Sequence, residues 1–428
     1  MTRRERELKE AEEAKQKAQQ KKGRQQQQLK KKAQWDKNYW QGRDVPKVTY
    51  SPSIDVRPEW TMMEQFTLSS LGKLSMSVKE MPEPEDLMSF GSLRLYDKSF
   101  DRVTAKSNVQ LKRFAKPKVP SPTASQDPVL RKMAEAGQAQ VFATDTVLAT
   151  LMCAPRATYS WDIVVTKKAG CIFLDKRPES NFDVLTVNET ASQSPIEEDK
   201  DNINGVEHLG QEATQLNYNF TQQVTEASSK KHKIGEESWI FGSAEARKAH
   251  PVGHRYRKWT IDEKLSVIVR CQVDAAMENK GEKILVSVKA LNEFDSRVTG
   301  VDWRLKLENQ RGAVLATELK NNNCKLAKWT AAALLGGIDQ MKVGFVSRTH
   351  PRDSRNHQVL GVQFYRPHEF AMQINLAAGN MWAILRHVVE VIDKCADGKY
   401  LMLKDPNKPV LRLYEIDAEG ADQESYMD

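Results

Sequence analysis

The stretch "AVLATELKNNNCKLAKW", residues 313–329, carries the most informative pattern in this chain of 428 residues. Mostly apolar residues lead into Glu318-Leu319-Lys320, and a basic segment typical of a helix follows. Read as a strand end, the pattern places Glu318 and Lys320 on one face, because side chains alternate across a strand. A carboxylate beside an ammonium can hold a divalent metal and steady a phosphate. The stretch therefore indicates one of three proteins: a nuclease, a former nuclease that has lost its activity, or a protein that only binds RNA.

A second acidic pair precedes this stretch, because Glu293 and Asp295 end an earlier predicted strand. An acid followed about twenty residues later by Glu-x-Lys on a strand is the layout of restriction-endonuclease-like folds, in which the acids bind Mg²⁺ and the lysine helps to activate water. Glu-x-Lys is also a common tripeptide. Three interpretations stay open: a metal-dependent nuclease, a non-catalytic pair at an old active-site position, and a solvated strand end.

Basic and aromatic residues alternate in "HRYRKW" at 254–259, which reads as a strand. Cations bind phosphates and aromatic rings stack on bases, as single-stranded RNA sites require. "NNNCKLAKW" adds two lysines beside Trp329. The candidate RNA ligands are Arg255, Arg257, Lys258, Lys325 and Lys328. The alternative is a strand that buries Trp259 and leaves its charges solvated.

The charge and the cysteines restrict the class of protein. The net charge is +8, and residues 1–33 alone hold twelve Lys and Arg against five Glu, so a basic site elsewhere must be a local patch. The five cysteines are scattered without a CxxC pair, which indicates reduced thiols rather than a disulfide frame or a zinc site. No apolar run reaches the ~18 residues of a membrane span, and the N-terminus has no signal-peptide pattern.

Composition predicts four regions. Residues 1–48 are a basic Gln/Lys-rich arm, helical or disordered, which is either a solvated linker or a docking arm. Residues 49–126 are an extended segment with few regular elements, for docking on a partner or on the body itself. Residues 127–415 form the body, and 416–428 an acidic tail. The insertion 188–212 holds seven acids and one Lys, so it either competes with RNA for a basic groove or is a solvated loop.

The body alternates strand-like and helix-like runs. Helices are predicted at 127–137, 143–153, 326–337 and 381–395, and strand-like runs include 159–167, 170–177, 181–187, 265–272 and 283–291. The sequence therefore predicts an α+β fold, a single large domain around a mixed, mainly antiparallel sheet, with an extended N-terminal segment.

Four longer strings carry a family resemblance. They are "FATDTVLATLMCAPRATYSWDIVV" at 142–165, "FDVLTVNETA" at 182–191, "LNEFDSRVTGVDWRLKLENQRGAVLATELKNNNCKLAKWT" at 291–330 and "GKYLMLKDPNKPVLRLY" at 398–414. Together they resemble the family of the D subunits of eukaryotic translation initiation factor three, over roughly residues 50 to 415. Members usually carry more sequence before the basic arm, so a truncated or naturally short form is expected.

The resemblance implies a fold like that of the decapping exonucleases, in a family that binds the mRNA 5′ cap. It makes Glu293, Asp295, Glu318 and Lys320 vestigial candidates rather than catalytic residues. It implies that the cap ligands are Asp145, Thr158, Tyr159, Thr214, Asn217 and Tyr218, although the family commonly has Val and His at positions 158 and 218. It also implies that the acidic insertion is an RNA gate, with Glu197, Glu198, Asp199 and Asp201 as its charged residues.

The implied function is that of a cap-binding, RNA-binding subunit of the initiation factor three complex, which is cytoplasmic and not an enzyme. The expected partners are capped mRNA, other subunits of the complex (through the N-terminal segment) and the small ribosomal subunit, without a membrane, metal or cofactor. Two other classes stay open: a metal-dependent hydrolase of RNA 5′ ends of the decapping exonuclease type, and a scaffold that binds only proteins.

Overall fold

The structure is a computed structural model that describes residues 49–77, 83–115, 122–178, 180–195, 202–226, 231–236 and 252–416. The basic arm 1–48, the four gate residues and residues 417–428 of the acidic tail lie outside the described residues. None of the helices among the described residues is both long and apolar enough to cross a membrane.

The strands are numbered in chain order. They are β1 Thr61–Thr67, β2 Glu85–Phe90, β3 Ser92–Arg94, β4 Val109–Gln110, β5 Val141–Thr144, β6 Trp161–Lys168, β7 Cys171–Asp175, β8 Lys231–Lys233, β9 Gly253–Thr260, β10 Ser266–Val273, β11 Ala275–Asn279, β12 Glu282–Asn292, β13 Gln340–Arg348, β14 His357–Tyr365, β15 Gly398–Lys404 and β16 Val410–Ile416.

The helices are numbered in the same way. They are α1 Leu68–Leu71, α2 Pro128–Glu135, α3 Asp145–Met152, α4 Val206–Glu226, α5 Ser296–Thr299, α6 Trp303–Lys306, α7 Arg311–Asn321, α8 Asn323–Gly336, α9 Pro367–Gln373 and α10 Ala378–Ile392. Short 3-10 helices occur at Lys98–Arg102, Ala154–Arg156 and Asn181–Asp183.

Within the described residues, the strands form two main sheets and a two-stranded ribbon of β3 and β8. The large sheet has nine strands in the order β1-β16-β15-β6-β7-β5-β10-β9-β2, and the small sheet has five in the order β11-β12-β13-β14-β4. Neighbours run antiparallel except at β7-β5-β10 and at β12-β13, which are parallel. The predicted α+β class with mixed, mainly antiparallel pairing is confirmed, with two sheets where a single sheet was expected.

Helix α8 packs between the two sheets. Ala327 and Ala331 belong to the same apolar core as Val267 and Val269 of the large sheet. Leu326 and Trp329 belong to the core of the small sheet. A helix that is apolar on nearly every side has to be buried on every side. The segment quoted first therefore supplies the layer that joins the two sheets.

Part of that segment was predicted wrongly. Residues 313–320 are not a strand end but lie in helix α7. Ala, Leu, Glu and Lys are strong helix formers, and Val314 and Glu318, four residues apart, are both buried on one side of the helix. Residues 181–187, predicted as a strand, form a 3-10 turn followed by irregular chain. The helices predicted at 127–137, 143–153 and 381–395 are confirmed with shifted ends, and α8 starts three residues earlier than expected.

The N-terminal segment is more regular than its composition suggested. Strand β1 pairs with β16 and strand β2 pairs with β9, so the segment supplies both edges of the large sheet. Strand β4 extends the small sheet through β14. Of the two surfaces considered for residues 49–126, the described part of the segment therefore packs on the body itself.

Candidate functional site

Asp274 is the one residue between β10 of the large sheet and β11 of the small sheet. Its carboxylate is buried and fully engaged. One oxygen accepts a hydrogen bond from Gln272 Nε2 at 2.9 Å. The other accepts from Val288 N at 2.9 Å, from Ser287 Oγ at 3.2 Å and from Lys289 Nζ at 2.8 Å. We call Gln272, Asp274, Ser287 and Lys289 the junction cluster.

The junction cluster resembles the acid and x-Lys layout that the sequence predicts elsewhere in the chain, with one difference. Lys289 follows Ser287 by two residues, so a serine stands where that layout has a glutamate. Burial alone would raise the pKa of Asp274, but Lys289 and the hydrogen bonds outweigh it and hold the pKa below its usual range. The cluster therefore contains one carboxylate that is paired with one lysine. Binding Mg²⁺ would require several carboxylate or carbonyl oxygens.

Asp145 and Asn217 lie beside the junction cluster. Asp145 begins α3, and its two carboxylate oxygens accept from Thr146 N at 2.8 Å and from Gln272 N at 2.9 Å. Asn217 of α4 accepts from Ala290 N, on β12, at 2.9 Å. Both side chains therefore bind the backbone of strands that meet at the junction, and the two predicted cap ligands share this part of the molecule.

A different segment, residues 185–189, forms hydrogen bonds with Thr158, Tyr159 and Thr214. Glu189 Oε1 accepts from the backbone N–H groups of Thr158 at 2.8 Å and Tyr159 at 3.1 Å. Leu185 N donates to Thr214 Oγ1 at 2.9 Å. Since Thr214 and Asn217 lie one turn apart on α4, this helix links the two groups of predicted cap ligands.

The two predicted aromatic cap ligands have protein neighbours. The ring of Tyr159 is 4.8 Å from that of Tyr50, centroid to centroid, at an angle of 57°. Tyr218 lies one residue after Asn217 on α4, and its hydroxyl donates to the carbonyl of Ala115 at 3.3 Å. Both side chains are half-buried.

The four vestigial candidates do not form one constellation. Glu293 accepts a hydrogen bond from Trp303 N at 2.8 Å. Asp295 caps α5 and forms an ion pair with Arg297. Glu318 is buried and accepts from Asn322 Nδ2 at 2.8 Å. Burial raises the pKa of Glu318, while Lys325 opposes that rise. Lys320 points elsewhere, because residues two apart on a helix differ in direction by ~200°.

The candidate RNA ligands divide into two kinds. Arg255 and Arg257 both bind Asp86, at 2.8 and 2.7 Å, and donate to the carbonyls that end α8, Gly336 at 2.7 Å and Leu335 at 2.8 Å. Such contacts satisfy the last carbonyls of a helix.

The remaining three basic residues differ in burial. Lys325 is buried and donates to Thr186 O at 2.7 Å, 5.6 Å from the ring of Trp329. Lys258 and Lys328 are half-buried. Of the five basic residues, these two lie outside the hydrogen bonds that hold Arg255, Arg257 and Lys325. Burial would lower the pKa of Lys328, but Cys324 and Glu189 hold it above its usual value, so this lysine already has an acidic neighbour.

A metal centre has little support in this geometry. In the part of the chain that the structure describes, no three His, Cys, Asp or Glu side chains are grouped so that they could hold a metal ion. The junction cluster is not among the sites predicted from the sequence. A carboxylate directly after a strand, followed on the next long strand by x-Lys, was the available signal, and Asp274 with Lys289 satisfies it as well as Asp295 with Lys320 does.

The sequence of the whole chain matches a known family. The sequence profile described as "Eukaryotic translation initiation factor 3 subunit 7 (eIF-3)" matches residues 1–415. The chain is similar to the D subunit of eukaryotic translation initiation factor 3 from Arabidopsis thaliana, with 47% identity over 86% of this chain and 61% of the relative. The corresponding proteins of Aedes aegypti and Bombyx mori are each 45% identical over 88% of this chain, and 61% and 68% of their own lengths are covered.

A solved structure matches as well. Rai1 of Scheffersomyces stipitis, a decapping exonuclease fold, is 14% identical with a TM-score of 0.51, covering 86% of this chain and 95% of that one. At this identity the likeness shows the fold alone. The chain spans only 61% of the length of the first two relatives. The profile match and the identities nevertheless show that the chain belongs to the family of eukaryotic translation initiation factor 3 subunit 7, whose relatives are named as the D subunit of that factor.

Proposed function

We propose that the chain is the cap-binding, RNA-binding subunit of initiation factor three and that it supports cap-dependent initiation on the small ribosomal subunit. Its partners are then capped mRNA, the other subunits of the factor and the small subunit, in the cytoplasm. Family membership supports the place in initiation. The cap and RNA contacts are our own assignment from the described residues.

The observation that carries the binding role, rather than a hydrolytic one, is the junction cluster. Two strands meet there with an acid and an x-Lys, in a chain with the fold of a decapping exonuclease. Its one carboxylate is already neutralised by Lys289, and the neighbouring positions are Gln272 and Ser287. Even with the neighbouring Asp145, whose two oxygens accept backbone N–H groups, the cluster has too few oxygen ligands to anchor Mg²⁺ for in-line attack on a phosphate.

The predicted cap ligands have the chemistry that 7-methylguanine requires. The methylated base is cationic, so it stacks well on an aromatic ring such as Tyr159 or Tyr218. A carboxylate such as Asp145 can accept from the N1–H and amino groups of the guanine edge. Thr214 and Asn217 lie one turn apart on α4 and supply neutral polar groups. We assign the six predicted residues as the ligands of the cap.

For the RNA body we assign Lys258 and Lys328 as phosphate ligands. We assign a structural role to Arg255, Arg257 and Lys325. They hold the end of α8 and the segment around Thr186 in place. The gate remains a prediction, because its charged residues lie outside the described chain.

The test is crosslinking of a radiolabelled capped RNA to the full chain, with free cap analogue as competitor and a parallel incubation with Mg²⁺ or Mn²⁺. We expect crosslinking that cap analogue abolishes, and RNA of unchanged length. Tyr159→Leu keeps an apolar contact for Tyr50 but removes the stacking ring, which contributes ~1–3 kcal/mol, so capped-RNA affinity should fall roughly 5- to 150-fold.

The matched control is Tyr365→Leu, which removes another half-buried tyrosine, this one from the small sheet. It should bind capped RNA like the parent. Metal-dependent release of a capped product would replace the proposal with a hydrolase. Crosslinking that cap analogue does not reduce would leave an RNA-binding subunit without cap recognition.

A further inference from the structure

A pocket of about 280 Å³ lies between helix α7, helix α5 and the segment 188–193. Its polar lining includes Asn188, Ser192, Gln193, Thr299, Thr317 and Lys320. We call it the α7 pocket. Neither the predicted cap ligands nor the junction cluster contribute to it, and no aspartate or glutamate of the described residues lines it.

The helical form of residues 311–321 creates this composition. Glu318 turns into the core, where it is only 3% exposed, while Lys320 stays exposed on the opposite side and lines the pocket. The carboxylate and the ammonium that a strand would have placed together are thus separated. What remains at the pocket is a cation with hydroxyl and amide donors around it, which is a lining that selects for an anion with several acceptor oxygens.

The walls of the α7 pocket are rigidly joined. Thr190 donates through its hydroxyl to Lys320 O at 2.7 Å and through its N–H to Asn321 O at 3.0 Å. Asn188 accepts from Asn322 Nδ2 at 3.1 Å, and its own N–H donates back to Asn322 Oδ1 at 3.0 Å. These hydrogen bonds hold the two walls of the pocket together before a ligand binds, which lowers the entropic cost of binding.

Asn188 adds a second, independent feature. It is 1% exposed and holds a left-handed backbone conformation with φ at 52°. Its Nδ2 has no hydrogen-bond partner among the described residues. Leaving a buried amide donor without a partner destabilises the fold, and such groups together with strained backbone concentrate at binding sites.

We propose that the α7 pocket binds a phosphate group of an RNA strand. The inference rests on the proposed RNA-binding function and adds a contact to it. At ~30 Å³ for each water in the liquid, the volume corresponds to roughly nine waters, which leaves room for a phosphate and part of its ribose. Lysine, serine, threonine, asparagine and glutamine are ordinary phosphate and sugar ligands, which position a strand without reading its sequence.

The test measures how the affinity of the full chain for a fluorescent, uncapped single-stranded RNA depends on salt, using anisotropy between about 50 and 200 mM KCl. Each phosphate contact contributes ~0.7 to the slope of log affinity against log salt on a single strand. Lys320→Gln should therefore lower the slope by about 0.7 and the affinity near 0.1 M salt by roughly 5-fold. Ala316→Phe, which fills the pocket and keeps the charge, should weaken binding as well.

The matched control is Arg311→Gln, because it removes one exposed cation from the same helix outside the pocket. It should leave both affinity and slope close to those of the parent. Equal effects of Lys320→Gln and Arg311→Gln would overturn the proposal, since the two changes would then act only through the general field of the protein.

Lysine acylation read by peptide mass spectrometry separates the failures. RNA should protect Lys320 but not the exposed Lys264. If RNA binds and Lys320 reacts as before, the pocket assignment is wrong and the proposed function stands. If no RNA binds, the proposed function fails and the pocket loses its ligand. Protection by polyglutamate but not by RNA would assign the pocket to an acidic protein partner instead.

Discussion

Asp145 is a buried carboxylate whose charge the fold tolerates only in part. It is 6% exposed, and its two oxygens accept backbone N–H groups from Thr146 and Gln272. Burial raises its pKa from 3.8 to about 6. The two backbone hydrogen bonds limit that rise, and so do the more distant positive charges of Lys289 and Arg270. A residue in this position both ties α3 to β10 and titrates just below neutral pH.

We predict a pH-dependent stability difference between the parent and Asp145→Asn. Because the folded pKa lies above the unfolded value, the folded chain binds the proton more tightly. The resulting stability is present below pH ~4 and is lost as pH rises through about 6. The shift corresponds to at most ~3 kcal/mol. In urea unfolding, the parent should lose up to this amount relative to the variant between pH 4 and pH 7.

Asparagine does not titrate, so the comparison isolates this carboxyl from the other buried acids. It keeps one acceptor oxygen, and the variant therefore loses one backbone hydrogen bond at every pH. A difference in the free energy of unfolding that stays constant from pH 4 to pH 7 would contradict the raised pKa.

At the scale of elements, the sequence predicts what is periodic. Strand β10 and helices α3 and α10 have clear apolar patterns, and their interiors were located correctly. Helix α7 was not, because Ala313 to Lys320 reads equally as a strand end until the helix-forming residues and the buried pair at 314 and 318 are weighed. The partners of α8 were out of reach, since its packing on both sheets depends on tertiary contacts.

The candidate site shows the same limit. Asp274 follows one strand and Lys289 lies within the next long strand, β12, and the sequence pattern alone does not show that the β11–β12 hairpin brings their charged groups within 2.8 Å of each other. The basic strand at 254–259 was located correctly, but the carbonyls of α8 that occupy Arg255 and Arg257 lie about eighty residues further along the chain. Chemistry of residue types is readable from sequence, whereas the partner of each charge is not.

The contact between α4 and β13 gives a prediction for packing. A Cβ on Gly344 would lie 2.5 Å from the ring of Phe220, which is fully buried. Gly344→Ala should therefore destabilise the chain by about 1–3 kcal/mol, because the ring has no free space to move into. Gly312→Ala on α7 is the matched control, since nothing lies within 4 Å of its Cβ position.

Alanine at position 312 should be neutral or stabilise by up to ~1 kcal/mol, because glycine disfavours a helix. Urea unfolding of both variants at one pH measures the two effects together. Equal stabilities of the two variants would show that Phe220 repacks and that the close approach of α4 to β13 is not required.

For the whole molecule, the described part of the N-terminal segment is structural. Strands β1, β2 and β4 extend both sheets, and the segment buries large apolar side chains in their cores. These are Tyr50, Trp60, Phe66, Leu68, Leu71, Leu93, Tyr96, Phe100 and Leu111. The boundary predicted at residue 127 therefore separates strands that the sheets need.

A chain that begins at residue 127 should not fold. Each large apolar side chain contributes ~1.5–3 kcal/mol when buried. Losing the whole set costs about 14–27 kcal/mol, which is close to or above the ~5–15 kcal/mol by which most domains are stable. A chain beginning at residue 49 is the control and should unfold cooperatively in urea. A cooperative transition of similar midpoint for the shorter chain would make the N-terminal strands dispensable.

The pairing of β1 with β16 also determines how late during synthesis the large sheet can be completed. Strand β1 is at the edge of the large sheet, and its neighbour in that sheet is β16, the last described strand. Roughly 340 residues separate the two, and at ~5–20 residues per second a ribosome needs roughly 20–70 s to make them. During that interval the nascent chain holds Phe66 and Leu71 without their final surroundings. Strand β1 is therefore synthesised well before the strand that it pairs with, and chaperones have that interval in which to bind it.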